Sequence, residues 1–145
     1  MPNWCSNELS IRGNKKQITK FKEKVKCEDS ELSMDNIIPE PKDSKGEPSE
    51  DWYNWRCRNW GTKWDLEAEL WDEGDDFLKY VFNSAWSPPD NFIILASKIF
   101  KKLSFQMRYS EEGMGFCGLL RTKKGFVVED KYIDDGDFWD EEIEK

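Results

Sequence analysis

One stretch limits what this chain can fold into more than any other: Asn59-Trp60-Gly61-Thr62-Lys63-Trp64-Asp65. A helix rarely continues through glycine, and a polar turn rarely carries two indoles. The stretch reads as a helix ending near Asn59, a turn that Gly61 permits, and a strand beginning near Lys63. A buried indole removes about 150–250 Å² of surface from water, so the turn is expected to be pinned to a core.

The rest of the chain supplies the partners for that turn. Alternation from Asn7 to Arg12 predicts a strand with Leu9 and Ile11 buried. Ile18, Phe21 and Val25 follow at helical spacing, with lysines opposite, and predict an amphipathic helix on that strand. Ser33 to Ile38 is expected to pair briefly as a strand. Pro39, Pro41, Gly46 and Pro48 mark a surface loop inserted over residues 39–50. Ser49 or Asp51 caps a short aromatic helix containing Trp52 and Trp55. Alternation resumes from Lys63 to Trp71 and from Phe77 to Ala85, with a turn at Glu73-Gly74-Asp75, and predicts a hairpin. Pro88-Pro89 stops it, and Asp90 caps a helix to Lys102 that carries Phe92, Leu95, Ala96 and Ile99 on one face. Strands over Ser104–Tyr109, Phe116–Arg121 and Phe126–Tyr132 complete the pattern.

With the insertion removed, the order is βαββαβ. Right-handed crossovers then place both helices on one face of an antiparallel sheet. The expected class is α+β: a ferredoxin-like two-layer sandwich with an extra C-terminal hairpin and an inserted aromatic helix on a rim or across the open sheet face. Residues 1–132 are read as a single domain and 133–145 as an acidic C-terminal tail. Phe138, Trp139 and Ile143 are that tail's large apolar residues.

Composition narrows the chemistry. The chain has 145 residues, 36% of them charged, with no histidine and a formal net charge of −8. Eight tryptophans and nine phenylalanines supply the core that a chain so rich in charge otherwise lacks. Without histidine, His-dependent catalysis and the common Cys/His zinc patterns are excluded. Cys5, Cys27, Cys57 and Cys117 are widely spaced and form no CxxC pair, so free thiols in a reducing cytoplasm are expected. Neither a signal peptide nor a membrane span is read, and neither a cofactor nor a metal site is expected. Acidic pairs such as Asp75-Asp76 occur by chance at this composition.

Five segments together resemble a phage- and plasmid-borne family with a YubB-type ferredoxin-like domain. They are Met1-Pro2-Asn3-Trp4-Cys5-Ser6-Asn7 leading into Leu9-Ser10-Ile11-Arg12-Gly13, then Ile37-Ile38-Pro39-Glu40-Pro41, Asn59 to Trp64, Ser84-Ala85-Trp86-Ser87-Pro88-Pro89, and Glu111-Glu112-Gly113-Met114-Gly115-Phe116-Cys117-Gly118. They run in the family's order over roughly Met1 to Tyr132. The resemblance implies the fold above and a mobile-element origin. It supplies no catalytic residues.

Two functional expectations follow. In the first, the protein is a non-enzymatic accessory factor that binds a host protein with a basic surface. An acidic surface imitates nucleic acid, and the target is a nucleic-acid-handling or defence complex such as a CRISPR effector. The contact residues would be Glu67, Glu69, Asp72, Glu73, Asp75 and Asp76, with Asp134, Asp135, Asp137, Asp140, Glu141 and Glu142 in the tail. The plainer reading of these acids is solubility. No direct contact with nucleic acid or membrane is expected, and the location is the host cytoplasm. In the second, Trp60, Thr62, Lys63, Trp64, Asp65, Trp86, Ser87, Glu111 and Phe116 ring an aromatic pocket for a nucleotide-like ligand. The plainer reading there is a packed corner with Lys63 and Asp65 in solvent.

Overall fold

Strict alternation from its first residue builds β1 (Trp4–Arg12). Cys5, Asn7, Leu9 and Ile11 point to one face and are buried, while Trp4, Ser6, Glu8, Ser10 and Arg12 point to the other. The computed structural model describes residues 3–133. The acids expected at positions 134–142 therefore lie outside the described residues. The chain continues with α1 (Lys15–Val25), α2 (Trp52–Asn59), β2 (Glu69–Glu73), β3 (Phe77–Ala85), α3 (Asp90–Ile99), β4 (Ser104–Glu111), β5 (Phe116–Lys123) and β6 (Phe126–Ile133).

The strands form one six-stranded antiparallel sheet in the order β2-β3-β1-β4-β5-β6. With three helices the class is α+β. Ile18, Phe21 and Val25 of α1 and Phe92, Ile93 and Ala96 of α3 join one core with Leu9, Ile11, Leu78, Tyr80, Phe105 and Met107. Both helices thus cover the same face of the sheet. Phe21 sits at the centre, edge-on to Tyr80, Phe100 and Phe105. Asn14 caps α1, its side chain accepting from the Gln17 amide at 2.9 Å. α3 starts differently from the sequence expectation. Pro89 is its cap residue, and Asp90 lies inside the first turn with its carboxylate on the Asn91 amide.

One predicted strand does not form, and another, the first strand of the expected hairpin, forms only from Glu69 to Glu73. Ser33 to Ile38 makes a turn, with the Ile37 and Ile38 amides both donating to the Met34 carbonyl. From Lys63 to Ala68 the chain bends at Lys63 and Trp64 and stays outside the ladder, and pairing with β3 begins only at Glu69. Another segment claims its polar groups first. The Asp65 carboxylate accepts from Ser33 Oγ and the Met34 and Asp35 amides, and the Ala68 amide donates to Ser30 Oγ. Leu66 and Ala68 are still buried. The alternation there records one-sided packing, which does not require a sheet partner.

The 39–50 loop and α2 are fastened by one buried ion pair. Arg56 Nε donates to Glu40 Oε2 at 2.6 Å and Nη2 to Oε1 at 2.8 Å, and Lys42 adds a second cation. The Glu40 side chain is 3% exposed. Arg56 lies over the rings of Trp52 and Trp60, at 4.8 and 5.5 Å from their centroids. α2 therefore packs at the rim, against α3 and the 39–50 loop, and does not cover the far face of the sheet, where Cys117 and Leu119 of β5 are nonetheless buried in a small cluster with Ile133.

The Arg56 hydrogen bonds, reinforced by Lys42, hold the Glu40 carboxyl below its ordinary value of 4.5 against the opposing effect of burial. A lowered folded-state value stabilises above the unfolded value, and the contribution disappears as pH falls through the folded one. Glu40→Gln should cost about 3 kcal/mol near neutral pH, since it leaves a half-buried guanidinium without its anion. Urea unfolding of wild type and variant should show that gap shrinking as pH drops below about 4. A gap that stays constant with pH would place the stabilisation elsewhere.

Candidate functional site

Hydrogen bonds from short polar side chains bring three distant segments to one end of the sheet. Thr62 Oγ1 donates to the Ala85 carbonyl at 2.8 Å, and Ser87 Oγ donates to the Gly61 carbonyl at 2.6 Å. Asn7 Nδ2 donates to Ser84 Oγ at 2.9 Å, and Ser84 Oγ in turn donates to the Ser87 carbonyl. The Trp86 amide donates to the Asn3 carbonyl. The chain from Trp60 to Trp64 is thereby locked to the end of β3 and the start of β1. Gly61 makes the tight turn possible at φ +90°, and a Cβ there would come within 2.5 Å of Asp90 Oδ1.

This locking divides the residues singled out in the sequence. Trp60 is 1% exposed, and its indole N–H donates to the Ile38 carbonyl. Thr62 and Ser87 hold the backbone as described. Asp65 is engaged by Ser33, Met34 and Asp35. Glu111 is 1% exposed, its two carboxylate oxygens accepting from the Gly113 and Met114 amides. Phe116 packs between Tyr109 and Tyr132. Glu111 and Phe116 lie at the tryptophan end of the sheet but on its helix-covered face, where β4 and β5 pair Tyr109 with Gly118. They do not line a pocket with Trp64. These positions build the corner.

Lys63, Trp64 and Trp86 remain. Trp64 is 39% exposed and Trp86 47%. Trp64 meets Trp4, which is 46% exposed, with ring centroids 5.9 Å apart and planes inclined by 41°. Lys63 Nζ lies 4.4 Å from the Trp64 ring centroid. Trp4, Trp64, Asp65, Glu67, Asn83 and Ala85 line a cleft of about 500 Å³. Glu67 and Asn83 also line a second cleft of about 530 Å³, which runs along the open sheet face past Ser6, Glu8, Glu69, Val81 and Arg108. The two clefts adjoin at Glu67 and Asn83, with the indoles at the outer end of one, and together are termed the groove. Trp4, Asn83 and Glu8 were not singled out as site residues. Extending the alternation of β1 back to its first residue would have placed Trp4 on the open face.

The acids divide by face as well. Residues 3–133 carry 21 Lys and Arg against 23 Asp and Glu, a net −2, and the remaining −6 belongs to residues 134–145. Within the described part, residues 67–76 hold six acids and no Lys or Arg. Glu67 and Glu69 face the groove. Asp72 pairs in register with Lys79. Glu73 bonds Lys22 of α1, and Asp75 lies across a cleft from Lys15, Lys22 and Lys26. Asp76 is exposed beside it. Glu8 in the groove is paired with Lys79 at 3.2 Å and Arg108 lines the same cleft, so the unmatched negative charge there rests on Glu67 and Glu69.

Cys5 is fully buried, and burial pushes its thiol up to about 12. Cys117 is fully buried too. Among the described residues no three Cys, Asp or Glu side chains converge as metal ligands. No helix of the described chain is long and apolar enough to cross a membrane.

A family model described as "Ferredoxin-like domain in Api92-like protein" matches residues 59–145. An uncharacterized protein, YubB of Escherichia coli K12, is 28% identical over 79 residues, 53% of this chain. The chain spans about half the length of that relative, 54%. The crystal structure of protein Api92 from Yersinia pseudotuberculosis superposes with a TM-score of 0.67 over 95% of this chain and 100% of that one. At 11% identity this likeness speaks for the fold alone.

Gly61→Ala should destabilise the protein by more than about 1 kcal/mol, because both its φ and the Asp90 contact oppose a side chain. Thermal unfolding followed by tryptophan fluorescence measures this. An unchanged melting temperature would show that the corner tolerates a looser turn.

Proposed function

The chain belongs to the family defined by the ferredoxin-like domain in Api92-like proteins, and from that premise we propose that it works by binding another protein and carries out no chemistry of its own. Its βαββαβ two-layer frame, with the added C-terminal hairpin and the inserted aromatic helix, presents the groove as the binding surface. The partner is a host protein with a basic surface. The mobile-element origin implied by the sequence resemblance makes host nucleic-acid-handling or defence machinery, such as a CRISPR effector, the target class, and the host cytoplasm the location.

One observation carries this reading: the exposed Trp4–Trp64 pair opens onto Glu67, with Glu69 next along the groove, while Glu8 is already paired with Lys79 at 3.2 Å. Indole faces attract cations, and the contact strengthens as water is excluded. Carboxylates at the rim steer a basic segment in and accept its hydrogen bonds. Lys63 Nζ lies 4.4 Å from the Trp64 ring centroid, a contact of the same kind within the chain. An arginine or lysine of the partner would occupy the same kind of position on Trp4. Mimicry is thereby confined to the groove and to whatever residues 134–145 contribute.

A second reading rests on the exposed indole surface of Trp4 and Trp64 beside the 500 Å³ cleft, on which a planar ring could stack. A nucleotide-like ligand would stack there, with Lys63 toward its phosphate. Asp65 and Glu67 on the same cleft oppose an anion, so we rank it second.

Titration with a short peptide alternating arginine and glycine, followed by tryptophan fluorescence, tests the first reading. Binding should weaken as salt rises. Trp64→Ala should reduce affinity roughly two- to thirtyfold, and Glu67→Lys with Glu69→Lys should reduce it further. Glu47→Lys, on the 39–50 loop, should leave it unchanged. If the charge-reversed protein binds the peptide as wild type does, the groove is not the acidic contact. Saturable quenching by a mononucleotide, lost in Trp64→Ala, would favour the second reading.

A further inference from the structure

The open face of the sheet changes sign along β1. Toward Trp4 its rim is acidic. Toward Arg12 a separate cleft of about 350 Å³ is lined by Arg12, Arg121 and Lys123, together with Ser10, Ser104 and Gln106, and no carboxylate lines it. In a chain with a net charge of −8, a concavity whose every charged group is cationic runs against composition.

Strand register fixes the arrangement. Arg12 pairs with Ser104 across β1–β4, and Ser10 pairs with Gln106. Gln106 pairs with Arg121 across β4–β5, and Lys123 follows Thr122, the partner of Phe105. Arg12 and Lys123 therefore lie two strand spacings apart, about 10 Å, on either side of Ser104. Arg121 is one step along on the same face. All three side chains rise from paired strands, so their bases are fixed even though their ends are in solvent. Arg12 rests 5.8 Å from the Phe77 ring centroid. Among the described residues no ion pair engages Arg12 or Lys123. Arg121 Nη1 donates to Glu129 at 3.2 Å, and Lys131 shares that carboxylate.

We propose that this cleft is an anion site for a phosphoryl group, built from Arg12, Arg121 and Lys123 around the Ser104 hydroxyl and the Gln106 carboxamide. A guanidinium presents paired N–H donors that match two oxygens of a phosphate, and an ammonium adds a point charge. A tetrahedral dianion has enough oxygens to engage donors on β1, β4 and β5 at once. A single carboxylate would leave one of the flanking cations unmatched. The site is independent of the groove assigned to the basic partner, which lies at the other end of the face.

Amide shift mapping with inorganic pyrophosphate and with adenosine monophosphate tests the assignment. Both probes should move the Ser104, Gln106, Arg121 and Lys123 signals at low salt, and the shifts should saturate. Equal affinity for the two assigns a bare phosphoryl site. Tighter binding of the mononucleotide, with further shifts confined to β1, β4 and β5, assigns a nucleotide-borne one. Arg12→Gln with Lys123→Gln should weaken binding about tenfold or more, the scale of one charge-assisted hydrogen bond. Lys16→Ala on α1 and Trp64→Ala in the groove should leave it unchanged. Shifts spread over all lysine-bearing segments, or equal affinity in the double variant, would overturn the site. The wild-type mapping stands on its own should the double variant fold poorly.

Discussion

The ion pair between Glu40 and Arg56 is the constraint on which the functional end of the molecule depends. Besides its two bonds to Glu40, Arg56 donates from Nη1 to the Lys63 carbonyl at 3.1 Å. A single guanidinium thus ties the 39–50 loop, the helix that carries it, and the turn that delivers Trp64. Its flat faces lie against Trp52 and Trp60, which exclude water from the pair. A buried pair costs desolvation unless its geometry satisfies both partners. Here the forked contact, Lys42 and two indoles supply that geometry. The insertion is held as part of the domain, and it keeps the helix it carries away from the open sheet face.

The face opposite α1 and α3 carries the groove and the cleft beside Arg12, although Cys117 and Leu119 of β5 are buried on it. On one side of β1 the residues are apolar and seal the core under α1 and α3. On the other they are Trp4, Ser6, Glu8, Ser10 and Arg12, a sequence of aromatic, polar and charged groups with solvent above. The acidic rim gathers beside Trp4 and the cationic cleft beside Arg12. With a net −2 over residues 3–133, the body is nearly balanced overall but polarised locally. Over distances shorter than about 10 Å, such local sorting directs a ligand more than the total charge does.

Most of the fold was legible because its signals are local. Period-two alternation gave β1, β3, β4, β5 and β6, and helical spacing gave α1 and α3. The segment from Lys63 to Ala68 misled for a physical reason. Its alternation reflects burial of Leu66 and Ala68 against the core, while Asp65 and Ser30 bind its backbone to the 30–35 turn. The candidate site was half legible. Three segments were expected to ring one pocket at one sheet end; two meet there through Thr62 and Ser87, while Glu111 and Phe116 lie on the helix-covered face. Which indoles stay open was not legible. Trp60 and Trp64 are four residues apart and chemically identical, and only the direction of the chain after Gly61 separates a sealed indole from an exposed one.

The sequence by itself determined the order of strands and helices, the glycine turn after the aromatic helix, and the excess of acid over base. Periodicity, backbone conformational limits and charge are properties of short segments, so they can be read without coordinates. Only the tertiary structure decided that Trp4 joins Trp64, that Glu111 and Phe116 lie on the opposite side of the sheet from them, and that Glu67 and Glu69 line a cleft at one end of a face while Arg12 and Lys123 line a cleft at the other. Each of these depends on strand register and on which polar group captures which backbone atom. Those outcomes are settled by competition between segments far apart in the chain, and no local pattern records them.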